Sequence, residues 1–170
     1  SNLETVTNAA YRVTITPEND GSITIELPEN TVEDAATNGN EASDVFEILF
    51  DGTRPIPIVN SSVPDPTNGT FDVTIIFDEP VTGLTPAGMN VGNGTADSVV
   101  GSGTTYTATI SPTVDGIVTV SVFADAAIDA AGNGNEVSNE FSVEFDGTSP
   151  TGDMSTTATG PVNTPFTLDI

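Results

Sequence analysis

Between Phe71 and Asp78 the chain alternates: Phe71, Val73, Ile75 and Phe77 fall on one side, Asp72, Thr74, Ile76 and Asp78 on the other. A period of two sends successive side chains to opposite faces of an extended backbone, so this stretch predicts a strand with one core face and one mostly solvated face. The pattern returns at Tyr106, Ala108 and Ile110, at Val118, Val120 and Val122, and at Phe141, Val143 and Phe145. Shorter strands are predicted near Ile58, Val91 and Val99. Clusters of Gly, Pro, Asn and Asp separate these runs and supply the turns. No segment carries a helical period; the alanine-rich stretch 125–132, DAAIDAAG, holds one helical turn at most.

The second feature is self-similarity. FDGTRP ends at Pro55 and FDGTSP at Pro150, 95 residues later, and the same offset pairs Tyr11 with Tyr106, Pro17 with Pro112 and Phe71 with Phe166. It also superposes DAATNGNE from Asp34 on DAAGNGNE from Asp129, and Asp20-Gly21 on Asp115-Gly116, without a gap. A period of this length is a whole sandwich domain, far longer than a solenoid repeat. About seven short strands per period, with turn signals every 8 to 12 residues, predict an all-β chain of tandem immunoglobulin-like Greek-key β-sandwich modules. With FDGTxP as the junction, residues 1–50 are the C-terminal half of one module, 51–146 a complete module, and 147–170 the N-terminal strands of the next. The two Asp-Gly pairs are expected to be hairpin turns. LPENT at Leu27 aligns with VFADA at Val122 and is read as the end of a strand.

Composition then narrows the chemistry. Twenty-five acidic residues face only Arg12 and Arg54, a net charge of −23, and there is no His, Cys, Lys or Trp. Imidazole bases, thiolate nucleophiles, Schiff-base lysines and nitrogen or sulfur metal sites are thereby excluded. Lys-Asn isopeptide crosslinks are excluded too. So acidic a surface repels nucleic acid and anionic lipid and attracts divalent cations, so neither nucleic acid nor a membrane is expected as a partner. No run approaches the ~20 apolar residues of a membrane span, and no leader is visible at Ser1, so an export signal is expected elsewhere. A glycosidase-like carboxylate pair is the one enzyme class the inventory permits, but the acids lie mainly on strand exteriors and in loops. The chain is expected not to be an enzyme.

FDEPVTGLTPAGMNVGNGTA, GSGTTYTATISPTVDGIVTVSVFADAAIDAAGNGNEVS and FDGTSP, in this order, resemble the bacterial Ig-like repeats of very large secreted adhesins. The resemblance covers the complete module and both flanking parts. It implies an all-β sandwich, an extracellular or bacterial cell-surface location, a spacer or adhesive role, and calcium at domain junctions. The partners it implies are neighbouring modules of the same chain, with any host-cell or surface ligand met by domains outside this segment. One position departs from the pattern: Thr37 stands where the D-x-A-G-N loop has glycine.

Oxygen ligands are what this chain has in quantity, and calcium takes six to eight of them from carboxylates, Asn side chains and carbonyls. In a Greek-key sandwich the loop after the second strand, from Asp78, and the loop before the last, from Asp125, share one pole. The first strand starts there too, just after Asp51. The expected cation ligands at this junction are Asp51, Asp78, Glu79, Asp129, Asn133 and Asn135. The competing reading makes the same residues turn-formers, because Asp, Asn and Gly dominate turns. An extender segment is the favoured function. A filament subunit assembling by strand complementation between chains, or a ligand-binding adhesive module, are the alternatives.

Overall fold

The computed structural model describes residues 3–7 and 10–169. Four strands precede Asp51: β1 (Leu3–Thr7) pairs with β2 (Ala10–Val13), and β3 (Gly21–Ile25) with β4 (Phe46–Phe50), both antiparallel. Six follow: β5 (Pro57–Asn60), β6 (Phe71–Val81), β7 (Met89–Gly92), β8 (Gly94–Pro112), β9 (Gly116–Val122) and β10 (Phe141–Phe145). A single 3-10 turn at Pro86–Gly88 leads into β7, and stretch 125–132 forms turns.

The 19-residue β8 is two arms of a hairpin. Drawn straight at ~3.3 Å per residue its ends would be about 60 Å apart, yet Gly94 lies against Ser111 and Pro112, and Ser111 Oγ donates to Asp97 at 2.5 Å. The chain reverses at Gly101 and Gly103, whose φ angles are +140° and +66°. A Cβ on Gly101 would collide with the Thr105 carbonyl oxygen. Counting both arms, seven strands follow Asp51. The first, second, fifth and fourth make one sheet through β5-β6-β8, and β7, β9 and β10 make the other, with β9 central. This is the constant-type immunoglobulin arrangement.

The alternating residues meet where the sequence pattern directs them. Val59, Phe71, Val73, Ile75, Phe77, Tyr106, Ala108 and Ile110 from one sheet pack on Met89, Val118, Val120, Val122 and Val143 from the other, all buried. The Phe77 and Tyr106 rings meet edge to face at 5.9 Å, and the Tyr106 hydroxyl donates to the Val81 carbonyl at 2.7 Å, so the core's one phenol is satisfied. Between β5 and β6 the chain crosses to the opposite sheet: Thr67 pairs in parallel with Phe145, its N–H donating to the Glu144 carbonyl at 2.8 Å. Asn139 receives the Val59 N–H at 2.8 Å and donates to the Val59 carbonyl at 3.0 Å, closing the other seam.

Residues before Asp51 build the matching strands but not their cover. Tyr11, 49% exposed, corresponds to Tyr106 at 6%, and Ile48, 51% exposed, to Val143 at 2%. Ile15, Ile23, Ile25 and Ile48 line an open apolar groove on this face. Residues after Phe145 repeat two contacts from the end of β5 and the start of β6. Ser155 bridges Asp169 as Asn60 pairs with Thr74, and Thr156 Oγ1 donates to the Thr167 carbonyl as Ser61 Oγ does to that of Asp72.

Candidate functional site

Three stretches far apart in sequence converge beside the FDGTRP linker. One carboxylate oxygen each from Asp51, Glu79 and Asp129 lie within 4.8 Å of one another. Asp51 comes from the linker. Glu79 keeps the inward phase of β6 and so sits at the rim of the core, the position that Phe77 and Val81 occupy on either side of it. Asp129 is brought opposite by a pair of backbone bonds between the loops: Thr82 N–H to the Ile128 carbonyl at 2.8 Å, and Ile128 N–H to the Thr82 carbonyl at 2.9 Å.

The Asp129 loop holds its own shape. Asp129 Oδ1 accepts the Gly132 and Asn133 N–H groups at 2.7 and 2.8 Å, and Oδ2 accepts the Asn133 amide at 2.8 Å. Burial pushes the Asp129 carboxyl up, but the bonds from Asn133, Gly132 and Ala131 outweigh it and hold the pKa below the usual range. Asn133 Nδ2 also reaches the Asp51 carbonyl at 3.1 Å, tying loop to linker. In the preceding half-module Asp34 accepts from Ala36 and Asn38 in the same manner, and Thr37 adopts φ +65° where Gly132 has +94°. The loop keeps its shape there despite a β-branched residue in the left-handed region, which glycine occupies without cost.

Two of the six expected ligands are bonded away from this cluster. Asp78 points away from Glu79 on the strand, and its Oδ1 accepts the Ile56 N–H at 2.7 Å. Asn135 is fully buried and pegs the loop from within, accepting the Ala127 N–H at 2.7 Å and donating to the Phe123 and Glu136 carbonyls at 2.9 and 2.6 Å. Asn40 makes the equivalent bonds to Val32, Pro28 and Glu41. The trio that remains, with Asn133 beside it, is the candidate site.

Its electrostatics are those of uncompensated acids. Desolvation first, then the charges of Asp51, Asp129, Asp78 and Asp20, raise the Glu79 pKa above the ordinary glutamate value. A group whose pKa is raised on folding carries no penalty below its unfolded pKa and the full penalty once pH exceeds the folded one. Glu79→Gln is therefore expected to raise the melting temperature of the metal-free chain near pH 7, an advantage that fades as the pH falls below the carboxylate range. Thermal unfolding in chelator at the two pH values checks this, and a gain equal at both would show that charge is not its source.

Sequence reasoning missed the other half of the junction. Asp20 accepts the Gly52 N–H at 2.7 Å and the Thr53 hydroxyl, while Asp115 accepts Gly147 N–H at 2.7 Å and the Thr148 hydroxyl at 2.5 Å. Arg54 is engaged as well: Nη2 donates to Asp125 Oδ1 at 2.5 Å and to the Asn135 carbonyl at 2.9 Å. Arg54 Nε lies 2.8 Å from Glu136 Oε1 but off the line of its N–H, so that contact is an ion pair without a hydrogen bond. The available signal was the recurrence of Asp-Gly and FDGT at one shared offset.

Seven strands in this order, followed by a gripped linker that starts the same arrangement again, define a sandwich module made to stand in tandem. The chain belongs to the bacterial Ig-like domain family, whose model matches residues 51–145. No curated protein and no solved structure matches it. Domains of this family are generally parts of surface or extracellular proteins and are typically non-catalytic. Among the described residues no helix is long and apolar enough to cross a membrane.

Proposed function

We propose that this chain is a non-catalytic extender segment of a large bacterial cell-surface or secreted adhesin, stiffened by calcium where one module meets the next. The observation that supports this most directly is the convergence of Asp51, Glu79 and Asp129, because linker and module must be in register for the three to meet. The donor set fits the ion: carboxylates alone suit a hard divalent cation, and neither imidazole nor thiolate exists in the chain to favour a transition metal. Asp51, Glu79 and Asp129 would hold it, with Asn133 adjacent, and its charge would relieve the repulsion that raises Glu79. Its partners in this reading are the neighbouring modules, and contact with a host cell or surface falls to domains outside the segment.

An ion that binds only the assembled junction stabilises it by mass action, about 2.7 kcal/mol at a hundredfold excess over Kd. Calcium is accordingly expected to raise the melting temperature and to narrow the distribution of lengths seen by small-angle scattering, and Asp51→Ala/Asp129→Ala to abolish both responses. A chain indifferent to calcium and chelator, or a double variant that responds as its parent does, would make these residues loop-formers only.

A further inference from the structure

Every residue from Asp51 to Ile56 is held by a hydrogen bond or ion pair from another residue of the chain. The Asp51 carbonyl is bound by Asn133. Gly52 N–H and the Thr53 hydroxyl are bound by Asp20, and Thr53 N–H by Asp51 Oδ1 at 3.1 Å. Arg54 is bound by Asp125, Glu136 and the Asn135 carbonyl. The Pro55 carbonyl receives the Glu136 N–H at 2.8 Å, and Ile56 N–H goes to Asp78. Asp20, which holds the Gly52 N–H and the Thr53 hydroxyl, belongs to the preceding half-module, whereas the partners of Asp51 before them and of Arg54, Pro55 and Ile56 after them belong to the complete module. The two grips interleave along the linker.

The grip from behind is the same at both junctions. Asp20 and Asp115 each occupy the turn ahead of a strand, β3 and β9, that pairs with the strand feeding the linker, β4 and β10. Gly21 and Gly116, at φ +135° and +132°, let each turn close. Gly52 and Gly147 pass close to a side chain of their own segment: a Cβ at either would press on the ring tip of Phe50 or Phe145, at 3.1 and 2.8 Å, so the ring would have to shift. The repeated motifs D-G and F-D-G-T are thus two halves of one device: the phenylalanine and glycine bring the backbone past the turn, and the aspartate and threonine fasten it.

We propose that the turn aspartate, Asp20 in the first unit and Asp115 in the second, is a metal-independent lock that fixes the direction in which each module hands the chain to the next. The lock does not rest on calcium binding, and the two are separable at Asp115: loss of calcium leaves the aspartate bonds in place, and loss of Asp115 removes no group that contacts Asp51, Glu79 or Asp129. Both carboxyls are held below their usual pKa, by the threonine hydroxyl first and the glycine N–H second, as expected for ionised acceptors in use.

The junction after β10 offers the direct test, because Asp115 and its turn belong to the complete module. Backbone 15N relaxation is measured on the full 170-residue chain in EDTA. Order parameters at Gly147 and Thr148 are expected near about 0.85, and to fall below about 0.6 in Asp115→Ala, with amide shifts of the core unchanged. Thr148→Val, which removes only an exposed hydroxyl and leaves the turn intact, is expected to give an intermediate loss. Linker amides that are mobile in the EDTA-treated parent, that become ordered only with calcium, or that stay rigid in both variants would overturn the lock.

Discussion

Separated from its flanks, the fragment 51–146 is expected to unfold in one cooperative transition and the fragment 1–50 in none. The difference lies in which faces are covered. In the longer fragment both sheets are present, and Val59, Val73, Ile75, Ile110, Val118, Val120 and Val122 are all withdrawn from water. Each fully buried aliphatic side chain contributes roughly 1.5–3 kcal/mol, and burial of this kind is the main favourable contribution set against chain entropy in folding. In the shorter fragment Tyr11, Val13, Ile15, Phe46 and Ile48 each remain at least 40% exposed, so the burial that would offset ordering is missing. Calorimetry of the two peptides decides it. A sharp endotherm from 1–50 would show that two strand pairs and a pegged loop suffice.

Asn135→Ala is the single substitution with the largest expected effect in the complete module, about 3 kcal/mol of lost stability. One side chain satisfies the Ala127 N–H and the Phe123 and Glu136 carbonyls, and truncation strands these groups at about 1–3 kcal/mol for each that water cannot reach. Under the calcium reading proposed above, the loss is also expected to spread: the freed loop carries Asp129 and Asn133, so affinity for the ion falls with stability even though Asn135 is not placed among its ligands. Urea unfolding measures the first effect and a calcium titration of the still-folded variant the second. A variant that loses stability but binds calcium as tightly as its parent would mean that Asp129 shapes its loop without help from the peg.

Periodicity carried most of the fold because each strand buries one face and leaves the other to solvent: the inward residues Phe71, Val73, Ile75 and Phe77 of β6 alternate with Asp72, Thr74, Ile76 and Asp78, polar at all but one position. The hairpin within β8 was legible as two short strands, near Val99 and Tyr106, since Gly101 and Gly103 interrupt the alternation. The site was legible in its location and less so in its membership. Asp129 and Asn135 lie in one Gly-Asn-rich loop and look alike in sequence, yet one carboxylate faces the linker while the amide turns inward. Only backbone direction separates a ligand from a peg. Asp20 and Asp115 looked like plain turn residues because their partners lie 32 and 33 positions away, beyond any local pattern. Arg54 gave no periodic signal at all, since Ser149 occupies its repeat position.

That substitution bears on how a tandem array is shaped. When every junction fastens the chain through the same atoms, one rotation and one translation generate the whole array, and the result is a screw whose pitch depends on a single angle. Small angular errors then compound, and modules far along act as a long lever on whatever they carry. An arginine at one junction and a serine at the next end that uniformity. Ser149 has no guanidinium with which to repeat the ion pairs that Arg54 makes to Asp125 and Glu136, so the two junctions are not fastened through identical atoms.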